Sequence, residues 1–95
     1  MKFFTTIDEK FAKIGFIKIE ENEYAVTYTR GNDKYGYCQE LELLHKKNGR
    51  HIVQSYDKDL MDSKRIGNTC VGLTMYEMEL CIKKMKEMGW KMIKE

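Results

Sequence analysis

Three cysteines, two histidines and a run of aspartates are the side chains of this 95-residue chain best suited to chemistry. Their spacing argues against most of it. Cys38, Cys70 and Cys81 are odd in number and form no C-x-x-C pair, so a disulfide framework is not expected and a reducing cytoplasm is the natural setting. Nucleophilic catalysis needs a thiol or hydroxyl with a base in reach and a site for the developing oxyanion. Cys81 falls on an apolar helical stripe and Cys38 within a strand pattern. Cys70, close to Gly67-Asn68-Thr69 and Gly72, alone has a turn context, and no motif ties a histidine to it. The residues point to a protein that is not an enzyme.

Metal binding meets similar objections. Asp57, Asp59 and Asp62 resemble the start of a calcium loop, but that pattern needs a third ligand two residues after Asp59, then a glycine and a distal Glu. Met61 and Asp62 stand in the first two of those places. His45 and His51 flank Asn48-Gly49 and, in the register given below, point to opposite faces of a sheet, so they cannot share one metal ion. No cofactor and no metal are expected. Lys34-Tyr35-Gly36-Tyr37 has the basic-aromatic-glycine character of an RNA-recognition strand. Cys38-Gln39-Glu40 interrupts it, and Glu40 and Glu42 would repel phosphate.

The elements that must position these groups are legible from periodicity. Thr6 can cap a short helix carrying Ile7, Phe11 and Ile14 on one side, stopped by Gly15. Ile17 and Ile19 alternate with polar residues, as do Tyr24, Val26 and Tyr28, with turns at Glu21-Asn22-Glu23 and Gly31-Asn32-Asp33. A third strand runs from about Lys34 to Lys46 and a fourth from His51 to Tyr56. Asn48-Gly49 between them signals a two-residue type I′ hairpin. That loop pairs residues whose numbers sum to 97. Tyr37, Leu41, Leu43, Ile52, Gln54 and Tyr56 then fall on the core side, with Ile17, Ile19, Tyr24, Val26 and Tyr28. Leu44 pairs with Val53 on an otherwise polar face of Thr27, Thr29, Cys38, Glu40, Glu42, His51 and Ser55. Thr74 and Glu77 have capping-box spacing ahead of an amphipathic run whose stripe is Met78, Cys81, Ile82, Met85 and Met88. The expected fold is one α+β domain over 1–95: a short N-terminal helix, a four-stranded antiparallel β-meander, a long loop, and a C-terminal amphipathic helix packed on one sheet face.

Composition narrows the partners. Seventeen basic and 15 acidic residues leave +2, less than nucleic-acid domains usually carry. Residues 1–45 hold 6 basic and 8 acidic groups and residues 46–95 hold 11 and 7, so a basic patch toward the C-terminus, with Lys46, Lys47, Arg50, Lys64, Arg65 and the helix lysines, stays open. No apolar run approaches the ~20 residues of a membrane helix, and Met1-Lys2-Phe3-Phe4 does not begin a signal peptide, so no membrane contact is expected. The stretch from Asp57 to Cys70 reads as a solvated connection with room for a helical turn at Leu60-Met61, and is long for a structureless connection in a small domain, a feature often linked to function. Its Asp57, Asp59, Asp62, Lys64, Arg65, Asn68 and Thr69, with the Leu44–Val53 pair, are the candidate partner-binding residues.

Two segments, His51-Ile-Val-Gln-Ser-Tyr56 after the Asn-Gly turn and Asn68-x-x-Val71-Gly-Leu-Thr74 entering a helix, together with Phe11-x-x-Ile14-Gly-Phe16 and Glu20-Glu-Asn-Glu-Tyr24, give the chain a resemblance to small accessory proteins of phages and prophages of Gram-positive bacteria. The resemblance spans most of the chain and transfers no catalytic residue. It implies a phage-derived, non-enzymatic binding protein in the host cytoplasm, acting as an inhibitor of a host protein such as a defence component, or as a homodimer. The alternative reading is a nucleic-acid or nucleotide-binding accessory protein.

Overall fold

The computed structural model describes residues 5–32, 37–63 and 69–93. The elements run α1 (Ile7–Lys13), β1 (Ile17–Glu21), β2 (Ala25–Asn32), β3 (Tyr37–Leu44), β4 (Ile52–Asp57), α2 (Lys58–Ser63) and α3 (Met75–Glu87). The strands form one antiparallel sheet in the order β1-β2-β3-β4, with the helices α1 and α3 over one face. The α+β architecture expected from periodicity is the one observed. Lys34, Tyr35, Gly36 and Asp33 lie outside the described residues, as does the side chain of Tyr37.

Local signals place the helices. Thr6 Oγ1 accepts from the Glu9 amide at 3.1 Å, and Gly15, at φ 96°, turns the chain out of α1. Thr74 Oγ1 accepts from the Glu77 amide at 3.1 Å while Glu77 Oε1 accepts from the Thr74 amide at 2.9 Å, closing the capping box. The Asn22 side chain accepts from the amides of Tyr24 and Ala25 and makes the β1–β2 turn. The segment expected to be a long loop instead starts with a helix. Asp57 Oδ1 accepts from the Leu60 amide, and α2 occupies most of the first half. The chain then returns to pair with the edge of β4, with Asp57 N donating to Thr69 O and Val71 N to Ser55 O.

The core holds Phe11, Phe16, Val26, Tyr28, Leu41, Leu43, Leu80, Cys81, Met85 and Trp90. Three expectations about it need correction. First, β3 and β4 pair with residue numbers summing to 96: Leu44 with Ile52, Leu43 with Val53, Leu41 with Ser55 and Glu42 with Gln54. The connection is a seven-residue loop, not two residues, and an odd loop gives an even sum. The single-residue slip exchanges every side chain of β4 between faces. Val53 therefore packs on the core and Ser55 faces inward, where Gln39 Nε2 donates to its hydroxyl at 2.8 Å. Ile52, Gln54 and Tyr56 move to the outer face. Second, a register shift in β1 between Lys18 and Glu20 leaves Ile17 and Ile19 exposed, and Tyr24, in the turn, is exposed as well.

Third, α3 is rotated from its expected setting. Its buried residues are Glu77, Leu80, Cys81, Lys84 and Met85, while Met78 and Ile82 lie outward at 39% and 37% exposure. Two charged anchors set the rotation. Arg30 donates to Glu77 Oε2 at 2.9 Å, to the Ile14 carbonyl at 3.1 Å and to Gln39 Oε1 at 2.8 Å, with its guanidinium 4.1 Å over the Phe16 ring. Lys84, only 3% exposed, lies 2.9 Å from Glu21 and 3.2 Å from Asp8. Asp8 also takes Lys18 at 2.8 Å and the Tyr28 hydroxyl at 2.6 Å. Burial pushes the Asp8 carboxyl up, but hydrogen bonds from Lys18, Tyr28 and Lys84 outweigh it and hold it below the ordinary value. Hydrogen bonds from Lys84 and Lys18 lower Glu21 similarly. Burial disfavours the charged form of Lys84, yet its bonds to Glu21 and Asp8 leave it raised, and Lys18 is raised by bonds to Asp8 and Glu21.

Two predictions follow from this packing. Met85→Asp removes a core side chain and buries a carboxylate, a loss of about 3–5 kcal/mol or more against a typical ~5–15 kcal/mol. Its cooperative melting transition should vanish, whereas Met78→Asp on the outward side should stay within about 1 kcal/mol of wild type. Thermal denaturation followed by circular dichroism distinguishes them. Asp8 and Glu21, lowered from 3.8 and 4.5, add stability that is fully present above those values and is lost as pH falls through the lower folded ones. Lys18 and Lys84, raised from 10.5, add stability that is lost only as pH rises beyond that value. Denaturant midpoints should hold steady from about pH 5 to 10 and drop below about pH 4. Lys84→Met should lower the neutral-pH midpoint and shrink the acid drop, because the two carboxylates then keep Lys18, and Asp8 the Tyr28 hydroxyl, but lose the buried cation between them.

Candidate functional site

The fold scatters the residues singled out in the Asp57–Cys70 stretch. Asp57 caps α2, Asp59 is exposed on it, and Thr69 contributes its carbonyl to the strand pairing. Lys64, Arg65 and Asn68 lie outside the described residues, as does the side chain of Asp62. The Leu44–Val53 contact spot does not exist. The β4 register puts Leu44 opposite Ile52 on the outer face and Val53 opposite Leu43 on the core face. Among the described residues, no group of three His, Cys, Asp or Glu side chains could hold a metal ion, and no helix is long and apolar enough to cross a membrane. Cys81 is buried, and burial with the nearby Glu77 charge pushes its thiol up to about 12, far from a reactive thiolate. Cys70 is exposed, and Cys38 is half-buried with its Sγ 3.1 Å from Thr29 Oγ1.

Three other surfaces are assembled instead. On the outer sheet face, Tyr56 Oη donates to Glu42; burial and then this carboxylate push the phenol up. Beside it Glu40 is nearly buried, its Oε2 lying 3.6 Å from Lys58 Nζ without a hydrogen-bond partner among the described residues.

The second surface is the outward flank of α3. The rotation that turns Leu80 inward presents Met75, Met78 and Ile82 to solvent, and with Glu79, Lys83 and Lys86 they line a shallow groove of about 410 Å³. Met75 is 92% exposed. Glu79 and Lys83 pair at 3.2 Å across one helical turn. Periodicity assigns Met78 and Ile82 to the core side, and Met75 lies outside its stripe. The rotation follows from Glu77, the capping carboxylate that also meets Arg30 and so points toward the sheet, a contact between residues 47 apart that periodicity does not carry.

The third surface is the tip of the β3–β4 loop. Gly49 N donates to Lys46 O at 3.0 Å, closing a turn over Lys46–Gly49, and Gly49 adopts φ 81°. Lys46 N donates to His51 Nδ1 at 2.9 Å, so Nδ1 is the acceptor. Nε2 therefore donates to Lys91 O at 2.7 Å. Ile93 N donates to Gly49 O at 3.2 Å. The His45 and His51 rings, expected on opposite faces, stack at 4.7 Å and pack against Trp90 at 5.1 and 5.3 Å. The longer loop takes both histidines out of the strand ladder, which is why strand alternation misplaces them. The result joins the loop to the C-terminal segment in one knob carrying Lys46, Lys47, Arg50 and Lys91.

Gly49 is the steric key to this knob. A Cβ there would meet Ile93 N at 3.0 Å and Ile93 Cβ at 3.2 Å in a left-handed backbone conformation. Gly49→Ala should cost roughly 1–2 kcal/mol from backbone strain alone and displace the segment Lys91–Ile93. Because Trp90 is the sole tryptophan, the displacement should be read as a red shift in its emission, with an unshifted spectrum counting against the docking.

No protein-family model, curated protein or solved structure matches this chain.

Proposed function

We propose that this chain is a non-enzymatic binding domain that acts through the outward flank of α3, in the manner of a phage accessory protein that inhibits a host protein. The observation that carries the reading is the exposed row of Met75, Met78 and Ile82 on a helix whose other side is fully engaged in the core. Contiguous apolar side chains left in water on a small domain mark a contact surface, and methionines adapt their shape to a partner. Two lysines against one glutamate on the rim favour a partner offering an apolar ridge with acidic neighbours. The resemblance to phage accessory proteins supplies the biological setting, including inhibition of a host defence component. The embedded, raised thiol of Cys81 fits a non-catalytic role.

The test compares capture of host proteins by the wild-type chain and by Met78→Glu/Ile82→Glu, whose fold is checked by its melting transition. The reading expects a defined host protein retained by the wild type and lost, by at least about ten-fold in affinity, by the folded variant. Equal capture by both proteins, or none by either, overturns it. Light scattering on the same samples separates self-association: a dimer abolished by the double variant would make a second copy the occupant.

A further inference from the structure

The knob at the sheet end is a second, independent surface. Its three lysines come from two places far apart in sequence, the loop 45–51 and the C-terminal segment around Lys91. Hydrogen bonds from His51 Nε2 to Lys91 O and from Ile93 N to Gly49 O, with the three-ring stack, hold them in one body. No acidic residue occurs in 44–53 or in 88–93, whereas the whole chain carries only +2. Among the turns at this end of the sheet, the β1–β2 turn lies beside the loop, with His45 N donating to Tyr24 O. That turn carries Glu23, an anionic side chain on the β1–β2 side of the knob.

We propose that this knob, formed by Lys46, Lys47 and Lys91 around the His45–His51–Trp90 stack, is a binding site for the phosphodiester backbone of a nucleic acid. Cations on a pre-ordered turn suit a polymer that presents one charge per repeat, because little ordering cost remains on binding. Trp90 is buried beneath the histidines, so it offers no free ring for base stacking; recognition is of the backbone and indifferent to sequence. The alternative anionic surface, a lipid bilayer, is poorly matched. Among the described residues Met92, Ile93, Ile52 and Tyr24 are the exposed apolar side chains near the cations, and they come from separate segments rather than forming the continuous apolar face of an interfacial amphipathic helix.

The experiment measures fluorescence anisotropy of labelled single-stranded RNA, single-stranded DNA and duplex DNA against the full chain across a salt series, with phosphatidylserine vesicles in a parallel sedimentation arm. Three neutralised phosphates predict a log–log salt slope of about −2.1 on single strands and about −2.7 on duplex. Affinity should therefore fall about 20-fold or about 40-fold, respectively, between roughly 50 and 200 mM salt. Lys46→Glu/Lys47→Glu/Lys91→Glu should bind at least about ten-fold more weakly with a shallower slope. It should keep its melting transition and Trp90 emission, since Lys46 and Lys91 contribute only backbone atoms to the bonds holding the knob. Lys10→Glu/Lys13→Glu on α1 should leave affinity unchanged. No binding at low salt, binding that survives the triple substitution in a folded protein, or binding to vesicles alone each overturns the proposal. Because Met78→Glu/Ile82→Glu leaves the knob intact, failure of this site and failure of the α3 reading are separately visible.

Discussion

Glu77 makes two sets of bonds, and the arrangement of the whole domain depends on their being satisfied together. One carboxylate oxygen closes the capping box with the Thr74 amide; the other receives Arg30. Arg30 also binds the end of α1 through the Ile14 carbonyl, reaches β3 through Gln39 and covers the Phe16 ring. A single guanidinium thus ties together α1, two strands and the first turn of α3. With the carboxylate almost fully buried, the pair is held where water screens it little, and neither partner can be moved without stranding the other. The direction of the Glu77 side chain fixes how α3 is turned, and every residue on that helix inherits its setting.

That setting explains an otherwise odd feature, a buried lysine on a helix that leaves a methionine and an isoleucine in water. Once Glu77 faces the sheet, Leu80, Cys81, Lys84 and Met85 follow it inward at helical spacing. Lys84 is tolerated because Asp8, from α1, and Glu21, from β1, both meet it there. The outward apolar row is the counterpart of this inward charge. The domain places ionic contacts at the helix–sheet junction and leaves hydrophobic side chains of α3 on its surface.

The loop 45–51 shows how a small local choice redistributes chemistry. A turn over Lys46–Gly49, stabilised by the His51 ring and by the returning C-terminal segment, replaces the tight hairpin that Asn48-Gly49 suggests. The change flips β4, sends Gln54 and Tyr56 outward, brings Ser55 to Gln39 and gathers both histidines onto Trp90. Residues 40 positions apart become neighbours, and the cations they carry become one surface.

Much of the architecture was legible in the residues themselves, because its causes are local. Thr6 and Thr74 cap helices through bonds spanning three residues, Gly15 ends α1 through its own φ, and alternation in β2 and β3 separates Val26, Tyr28, Leu41 and Leu43 from Thr27, Thr29 and Glu42. The candidate surfaces were not legible, because their causes are distant. The rotation of α3 depends on Arg30, 47 residues from Glu77. The β4 register depends on a loop pinned by the C-terminal segment, and a register shift in β1 leaves its isoleucines in solvent. Sequence periodicity shows that a face exists and which residue types compose it. Which way that face points is settled by contacts between segments far apart in the chain.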